Sequence, residues 1–224
     1  MDSNAAQQSV VVSRDFFDRA RKTLTLDVPP ALTDHSIAEF PRGDLDRDQA
    51  VWDEAGVKAT RGAAVLVGVV DHAEPGVLLT MRTSDLPNHG GQIAFPGGKI
   101  DPGDATPLAA ALREADEEIG LAAASIEPIG YLDLYLTFTG FRILPVVARV
   151  TPNYALKINA SEVADAFEVP LAFVMDEANH ARKSRDWKGV TRHYYEMPFG
   201  ERYIWGVTAG ILRNLYEKIY AAHD

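Results

Sequence analysis

The chain contains no cysteine, which removes disulfide frameworks, zinc ribbons and thiol nucleophiles together. It is also poor in positive charge: 22 Lys and Arg stand against 32 Asp and Glu, a formal net charge of −10. Nucleic-acid binders need a basic stripe, because phosphate neutralisation supplies most of their affinity. Membrane-surface helices need a basic amphipathic face, and no segment is dense in Lys or Arg. Long apolar runs are missing too. The longest, Ala63 to Val70 with Gly68 inside it, is far short of the ~20 residues that span a bilayer. Met1 to Gln8 are polar, without the charged and apolar regions of a secretory signal, so a cytoplasmic location is expected. No P-loop, G-x-S-x-G elbow or H-E-x-x-H pair occurs. A calcium loop counted from Asp101 would end on Leu112 instead of Glu.

What remains is an ordinary globular composition, 46% hydrophobic over 224 residues, enough for one substantial core. Residues 13 to 24 have helical spacing, with Phe16, Phe17, Ala20 and Leu24 on one face. Residues 27 to 58, broken by Pro29, Pro30, Pro41 and Gly43, resemble an arm more than a domain. The expected division is therefore 1–58, an N-terminal helix and extended arm packed on the body, and 59–224, the body itself. For the arm, a dimer contact or a lid are the roles open. Gly62 to Val70 and Gly76 to Met81 suggest paired strands around Asp71 to Pro75, and further strands are expected at Ile126 to Leu136, Phe141 to Val150 and Thr191 to Met197. A helix over 107–119 is marked by Thr106 as cap, Pro107 in the first turn and Gly120 at the stop. A last helix runs from about Val207 to Ala221, with Ile211, Leu212, Leu215 and Ile219 as its buried stripe, and Trp205 before it is expected in the core. Strands interleaved with helices predict an α+β fold, a mixed sheet with helices on its faces.

Chemistry concentrates on the helix over 107–119. On a 100° wheel, Leu108, Leu112, Ala115 and Ile119 form one stripe, while Glu114, Glu118 and Glu117 fall at about 0°, 40° and −60°. Ala110 and Ala111, among the acids, are expected to leave space above the helix. Arg113 is placed to pair with Glu117 at i,i+4. This arrangement is costly. Glu114 and Glu118 repel by about 0.2–0.5 kcal/mol, and two acids occupy the last turn, where the helix dipole disfavours them by up to ~1 kcal/mol. Residues that break local rules mark candidate functional sites, although a solvated acidic face is the plain alternative. Clustered carboxylates beside Gly97-Gly98, whose carbonyls can approach closely, suit hard cations such as Mg²⁺ or Mn²⁺.

Gly98, Asp104 and Arg113-Glu114-Ala115-Asp116-Glu117-Glu118-Ile119-Gly120-Leu121 together resemble the Nudix box, G-x5-E-x7-R-E-U-x-E-E-x-G-U with U a bulky apolar residue. Three departures stand out: Asp104 for Glu, one extra residue before Arg113, and Ala115 for the bulky residue. Upstream, Leu78-Leu79-Thr80-Met81-Arg82, His89, Gly91-Gln92 and Phe95-Pro96-Gly97-Gly98 resemble the coenzyme A pyrophosphatase subgroup, which shares the first two departures. Glu162-Val163, Phe167 to Leu171 and Trp205 to Ile211 resemble its downstream landmarks. Thr83 and Pro87 differ from its pattern, and Pro87 replaces an expected Arg.

The resemblance implies a Nudix-type α/β/α sandwich and a divalent-metal-dependent hydrolase of nucleoside diphosphate-linked compounds. Coenzyme A or acyl-coenzyme A is the implied substrate. Another conjugate (NADH, ADP-ribose, an oxidised nucleotide) stays open through Pro87, and a non-catalytic nucleotide-sensing module is the further alternative. By the same resemblance Glu114, Glu117 and Glu118, with a Gly97 or Gly98 carbonyl, hold Mg²⁺ or Mn²⁺, and Arg113 orients Glu117. Glu117 or the more distal Glu162 serves as general base. Ser161 capping a local turn is the plain alternative for that segment. Arg82, His89 and Lys99 are candidate substrate contacts, each with an ordinary surface or structural alternative. Phe141 is either a base-stacking ring or a core residue.

Overall fold

Residues 15–34, 42–43, 61–84, 90–187 and 190–221 are described by the structure, a computed structural model. In chain order the elements are α1 (15–23), β1 (Arg42–Gly43), β2 (Arg61–Val70), β3 (Gly76–Arg82), β4 (Ile93–Ala94) and β5 (Gly97–Lys99). Then come α2 (Pro107–Ile119), β6 (Ile126–Tyr131), β7 (Tyr135–Leu136), β8 (Phe141–Val150), β9 (Val163–Pro170) and α3 (Leu171–Val174). β10 (Ala181–Trp187), β11 (Val190–Phe199), β12 (Arg202–Trp205) and α4 (Gly206–Ile219) complete the chain.

β2 is the spine. Successive side chains on a strand face opposite ways, and both faces of β2 are apolar, as expected for a strand covered on each side. Val67 and Val69 meet α1 and α4 through Phe16, Phe17, Ala20, Leu212 and Leu215. Ala64 and Leu66 meet α2 through Ala110, Ala111, Ala115 and Ile119. The result is a mixed sheet between helical layers, the α/β/α sandwich expected. The sheet runs β1-β7-β8-β2-β3-β4, with β5 on β2, β6 on β8 and β9 on β3.

The expected hairpin of β2 and β3 exists only at its turn, where Val69 pairs with Val77 and Val70 with Gly76. The long partner of β2 is instead β8, parallel from Arg61↔Phe141 to Val70↔Val150, and β3 pairs with β9. Parallel neighbours require a crossover, and the one from β2 to β8 contains α2. The single strand expected over Ile126 to Leu136 is broken: the N–H of Asp133 turns away to Asn214 Oδ1 at 3.1 Å. Trp205 also departs from expectation. At 37% exposed it stacks on Tyr203 and meets Tyr194 edge-on, on the outer side of the β10-β11-β12 sheet. Its neighbour Ile204 is the buried one, because alternation along β12 sends the two opposite ways.

The described parts of the N-terminal region pack onto the sheet. Phe16 is fully buried, Arg142 Nη1 donates to the Ala31 carbonyl, and β1 pairs with β7. Among the described residues no helix is long and apolar enough to cross a membrane.

Candidate active site

Both ends of α2 are fixed by local chemistry. Thr106 Oγ1 accepts the Ala109 N–H at 3.1 Å, and Pro107 fills the first turn, where no donor is needed. At the other end Gly120 takes φ 65°, the left-handed conformation that ends helices. A Cβ there would also lie 2.9 Å from the Lys157 nitrogen, so this glycine has two reasons to be glycine. Lys157 and Asn159 donate their N–H groups to the Ile119 and Glu118 carbonyls at 2.7 and 2.9 Å. The loop carrying Glu162 is thereby docked on the helix end, satisfying carbonyls that would otherwise lack partners.

β5 lies directly over the acids. Gly97 has φ 152°, and a Cβ on it would sit 2.6 Å from the Val65 Cα; its N–H donates to Glu118 Oε2 at 3.2 Å. A Cβ on Gly98 would stand 2.7 Å from Glu114 Oε2. The two glycines therefore let main chain touch carboxylate.

Arg113 organises the cluster. Its Nε and Nη2 grip Asp104 bidentately at 3.0 Å each, and Nη1 reaches Glu114 Oε1 and Glu117 Oε2, both at 3.0 Å. Nη2 also donates to the Lys99 carbonyl at 3.1 Å. Asp104, 7% exposed at its side chain, is held below the usual carboxylate range by that guanidinium and by the Asp101 N–H. The shorter acid thus stays in reach of Arg113 from the loop before α2. This exceeds the single i,i+4 pair with Glu117 expected from the sequence.

The three glutamates are not equivalent. Glu117 is 57% exposed at its side chain, Glu114 17% and Glu118 5%. Burial pushes the Glu118 carboxyl up to about 7, against 4.5 ordinarily; the Glu114 and Glu162 charges add to this, while the Gly97 N–H and Arg82 oppose it. Glu114 is raised mainly by burial, with Arg113 opposing and Glu117 and Glu162 adding. Carboxylates so desolvated and so close to like charge want a cation. Glycine main chain against all-oxygen donors suits a hard one. Among the described residues no three Asp, Glu or His stand together as an ion cage; Arg113 bonds Glu114 and Glu117 instead.

Arg82 ends β3 at the other rim. Its Nη1 is 3.9 Å from Glu118 Oε1, and its Nε is buried with no hydrogen-bond partner among the described residues. Glu162 is fixed nearby: its carbonyl accepts the Thr83 N–H at 3.0 Å.

Of the residues expected from sequence, Gly98, Arg113, Glu114, Glu117, Glu118, Glu162 and Arg82 lie around one face. Lys99 is exposed and contributes its carbonyl. His89, like Pro87, lies outside the described residues. Ala110 and Ala111 do not leave space: both are fully buried in the core beneath the sheet. The Phe141 ring is covered by the Arg61 guanidinium at 4.1 Å, so it is neither bare nor fully core. Ser161 is no cap; it donates through N and Oγ to Asn159 Oδ1 at 3.2 and 2.6 Å. Asn159 went unnoticed in the sequence, although an Asn two residues before Ser is a recognisable turn signal.

A sheet between helices, with glycine main chain laid over an acidic helix, defines the Nudix class. The NUDIX domain family matches residues 60–188, and the chain belongs to that family of hydrolases acting on nucleotide-linked compounds. A Citrobacter koseri protein described as "Uncharacterized Nudix hydrolase NudL" is 42% identical over 167 residues, 71% of this chain and 83% of that one. A Salmonella paratyphi B protein of the same description is 40% identical over 202 residues, 87% and 98% of the two chains. Among solved structures, DR0079 from Deinococcus radiodurans gives a TM-score of 0.48 at 12% identity, covering 77% of this chain and 90% of that one.

Proposed function

We propose that this hydrolase cleaves the diphosphate of coenzyme A or its acyl derivatives, giving adenosine 3′,5′-bisphosphate and (acyl-)4′-phosphopantetheine, with Mg²⁺ or Mn²⁺. The observation that carries the diphosphate reading is Arg82: a guanidinium with an unpartnered buried Nε, placed across from the acidic face. An Arg of this kind is completed by a phosphate oxygen, which it can take bidentately. The coenzyme A assignment is supported by the resemblance of the segment from Leu78 to Gly98, which forms β3 to β5 at the rim of the site.

In this reading Glu114, Glu117 and Glu118, with the Gly98 carbonyl, hold the divalent ions. Bound there, such ions lower the pKa of water and offset charge on the diphosphate. Arg113 fixes Glu114 and Glu117 and keeps them from drifting apart. Arg82 orients a phosphate. Glu162 takes the proton of the attacking water as its oxygen bonds to phosphorus, and the bridging P–O bond breaks toward the leaving phosphate. Supporting this, the main chain of Glu162 is tied to Thr83 beside Arg82 and, through Asn159, to the end of α2 that carries Glu118, and a base must sit near the water it deprotonates.

The test is a panel of coenzyme A, acetyl-coenzyme A, NADH, ADP-ribose and 8-oxo-dGTP with each metal, products resolved by mass. Coenzyme A split into the two named products, with Glu117→Gln inactive, is the expected result. Preferential turnover of another conjugate refutes the coenzyme A assignment. Turnover unaffected by Glu117→Gln refutes the site.

A further inference from the structure

We propose that Asn159 is a positioning residue that holds the Glu162 carboxylate for proton transfer; this rests on reading Glu162 as the base. Asn159 sits at a junction. Its N–H donates to the Glu118 carbonyl at 2.9 Å, and its own carbonyl accepts from Glu162 N and Val163 N, each at 3.0 Å. Those main-chain contacts survive any side chain. Oδ1 takes the Ser161 N–H and hydroxyl, closing the turn as an Asx motif does. The remaining group, Nδ2, donates to Glu162 Oε1 at 3.3 Å.

That last bond is the one with a consequence for chemistry. The backbone of Glu162 is pinned between α2, through Asn159, and β3, through Thr83. Its side chain still has three rotatable bonds and the rotamer freedom of a half-exposed glutamate. The Asn159 amide is the one hydrogen-bond partner of that carboxylate among the described residues. It engages one oxygen and leaves the other to accept a proton. It also ties the base to the helix bearing Glu114 and Glu118, so base and metal-binding acids shift together. Small displacements of a catalytic group cost large factors in rate.

Two substitutions separate this role from the turn. Asn159→Asp keeps an acceptor for Ser161 and loses the donor to Glu162. Asn159→Ser closes the same turn without adding charge, and its hydroxyl, one bond shorter than an amide already 3.3 Å from Glu162 Oε1, is too far back to replace that donor. Both are measured with whichever panel conjugate the enzyme turns over, alongside Glu162→Gln and the double variants. Expected for both is a fall in kcat of roughly 10- to 100-fold, part of the 10²–10⁴ a general base supplies, with KM within about threefold and Tm within about 3 °C. On the Glu162→Gln background neither should cost more than about twofold, because residues acting as one unit are non-additive. Full activity in Asn159→Ser overturns the proposal, as does an equal loss with and without Glu162. Should both variants melt early, the comparison on the Glu162→Gln background at a temperature where each is folded still decides it. If Glu162→Gln alone keeps its kcat, the base assignment has failed first, and that result is read with Asn159 intact.

Discussion

Glu118 makes the stability of the metal-free enzyme depend on pH in an unusual direction. Its carboxyl titrates near 7 in the folded chain against 4.5 ordinarily, so between those values the native state holds a proton that the unfolded state has lost. Stability then falls as pH rises through this window, by 2.303RT for each unit of pH. The gap of about 2.5 units corresponds to about 3 kcal/mol of stability, fully present below pH 4.5 and fully lost above pH 7. For a chain of this size that is on the order of 6–12 °C in Tm. Asp104 works the other way, since its lowered pKa adds stability that disappears only in stronger acid. His180, lowered by burial, works the other way within the same window, so Glu118 is isolated by comparison with a variant that cannot ionise there.

The assay is urea unfolding at pH 5, 6, 7 and 8 with EDTA, for the wild type and Glu118→Gln. Glutamine keeps the shape and can still accept the Gly97 N–H, but it does not ionise. The wild type should lose about 3 kcal/mol relative to the variant across the series, part of it through relief of Glu114, whose ionisation Glu118 opposes. Added Mn²⁺ should stabilise the wild type more at pH 8 than at pH 6, because ligand binding to the folded ionised form adds by mass action. A stability difference that stays flat with pH would refute the burial of Glu118, and with it the argument that this acid awaits a cation.

Three further outcomes follow from single contacts. Arg113→Lys cannot grip Asp104 bidentately while serving Glu114 and Glu117, so kcat should drop at least tenfold; denaturation should show a loss of about 1–3 kcal/mol as Asp104 loses its partner. Gly120→Ala forces a Cβ onto Lys157 in a left-handed backbone; a loss of about 1–3 kcal/mol is expected, with activity reduced because the loop bearing Glu162 lifts from α2. Asn214→Ala strands the Asp133 N–H, and should cost about 1–3 kcal/mol in urea unfolding while leaving kcat within about twofold.

The helix of the site could be drawn from sequence to the residue, because cap, proline and stop glycine are local signals read by local chemistry. The same holds for the buried stripe of α4. What could not be drawn was anything decided by partners distant in sequence. β10 is polar along Arg182 to Asp186 and is a strand because β11 pairs with it. β9, carrying Asp165 and Glu168, gives no clean alternation, yet it lies along β3 from Gly76 to Arg82. The break at Asp133 comes from an asparagine on the last helix. Asn159 belongs to the same kind: its turn is a local signal, but its value lies in reaching Glu118 and Glu162 at once.

The acidic face shows what the fold adds to a helical wheel. A wheel gives Glu114, Glu117 and Glu118 one shared direction, and equal standing. Packing ranks them, because β5 and the loop from Lys157 to Val163 cover the face unevenly. Glu118, nearest the core stripe, is buried under Gly97; Glu114 lies against Gly98; Glu117 remains largely in solvent and is reached by Arg113. The chain therefore carries a real destabilisation at this one place: a desolvated acid, like charges one turn apart, and acids at the wrong end of a helix dipole. Nothing in the packing requires it, since Ala110, Ala111, Ala115 and Ile119 already seat the helix on the sheet. A cost without a structural return, beside an arginine with an unsatisfied donor, is what a site selected for binding cations and phosphate would show.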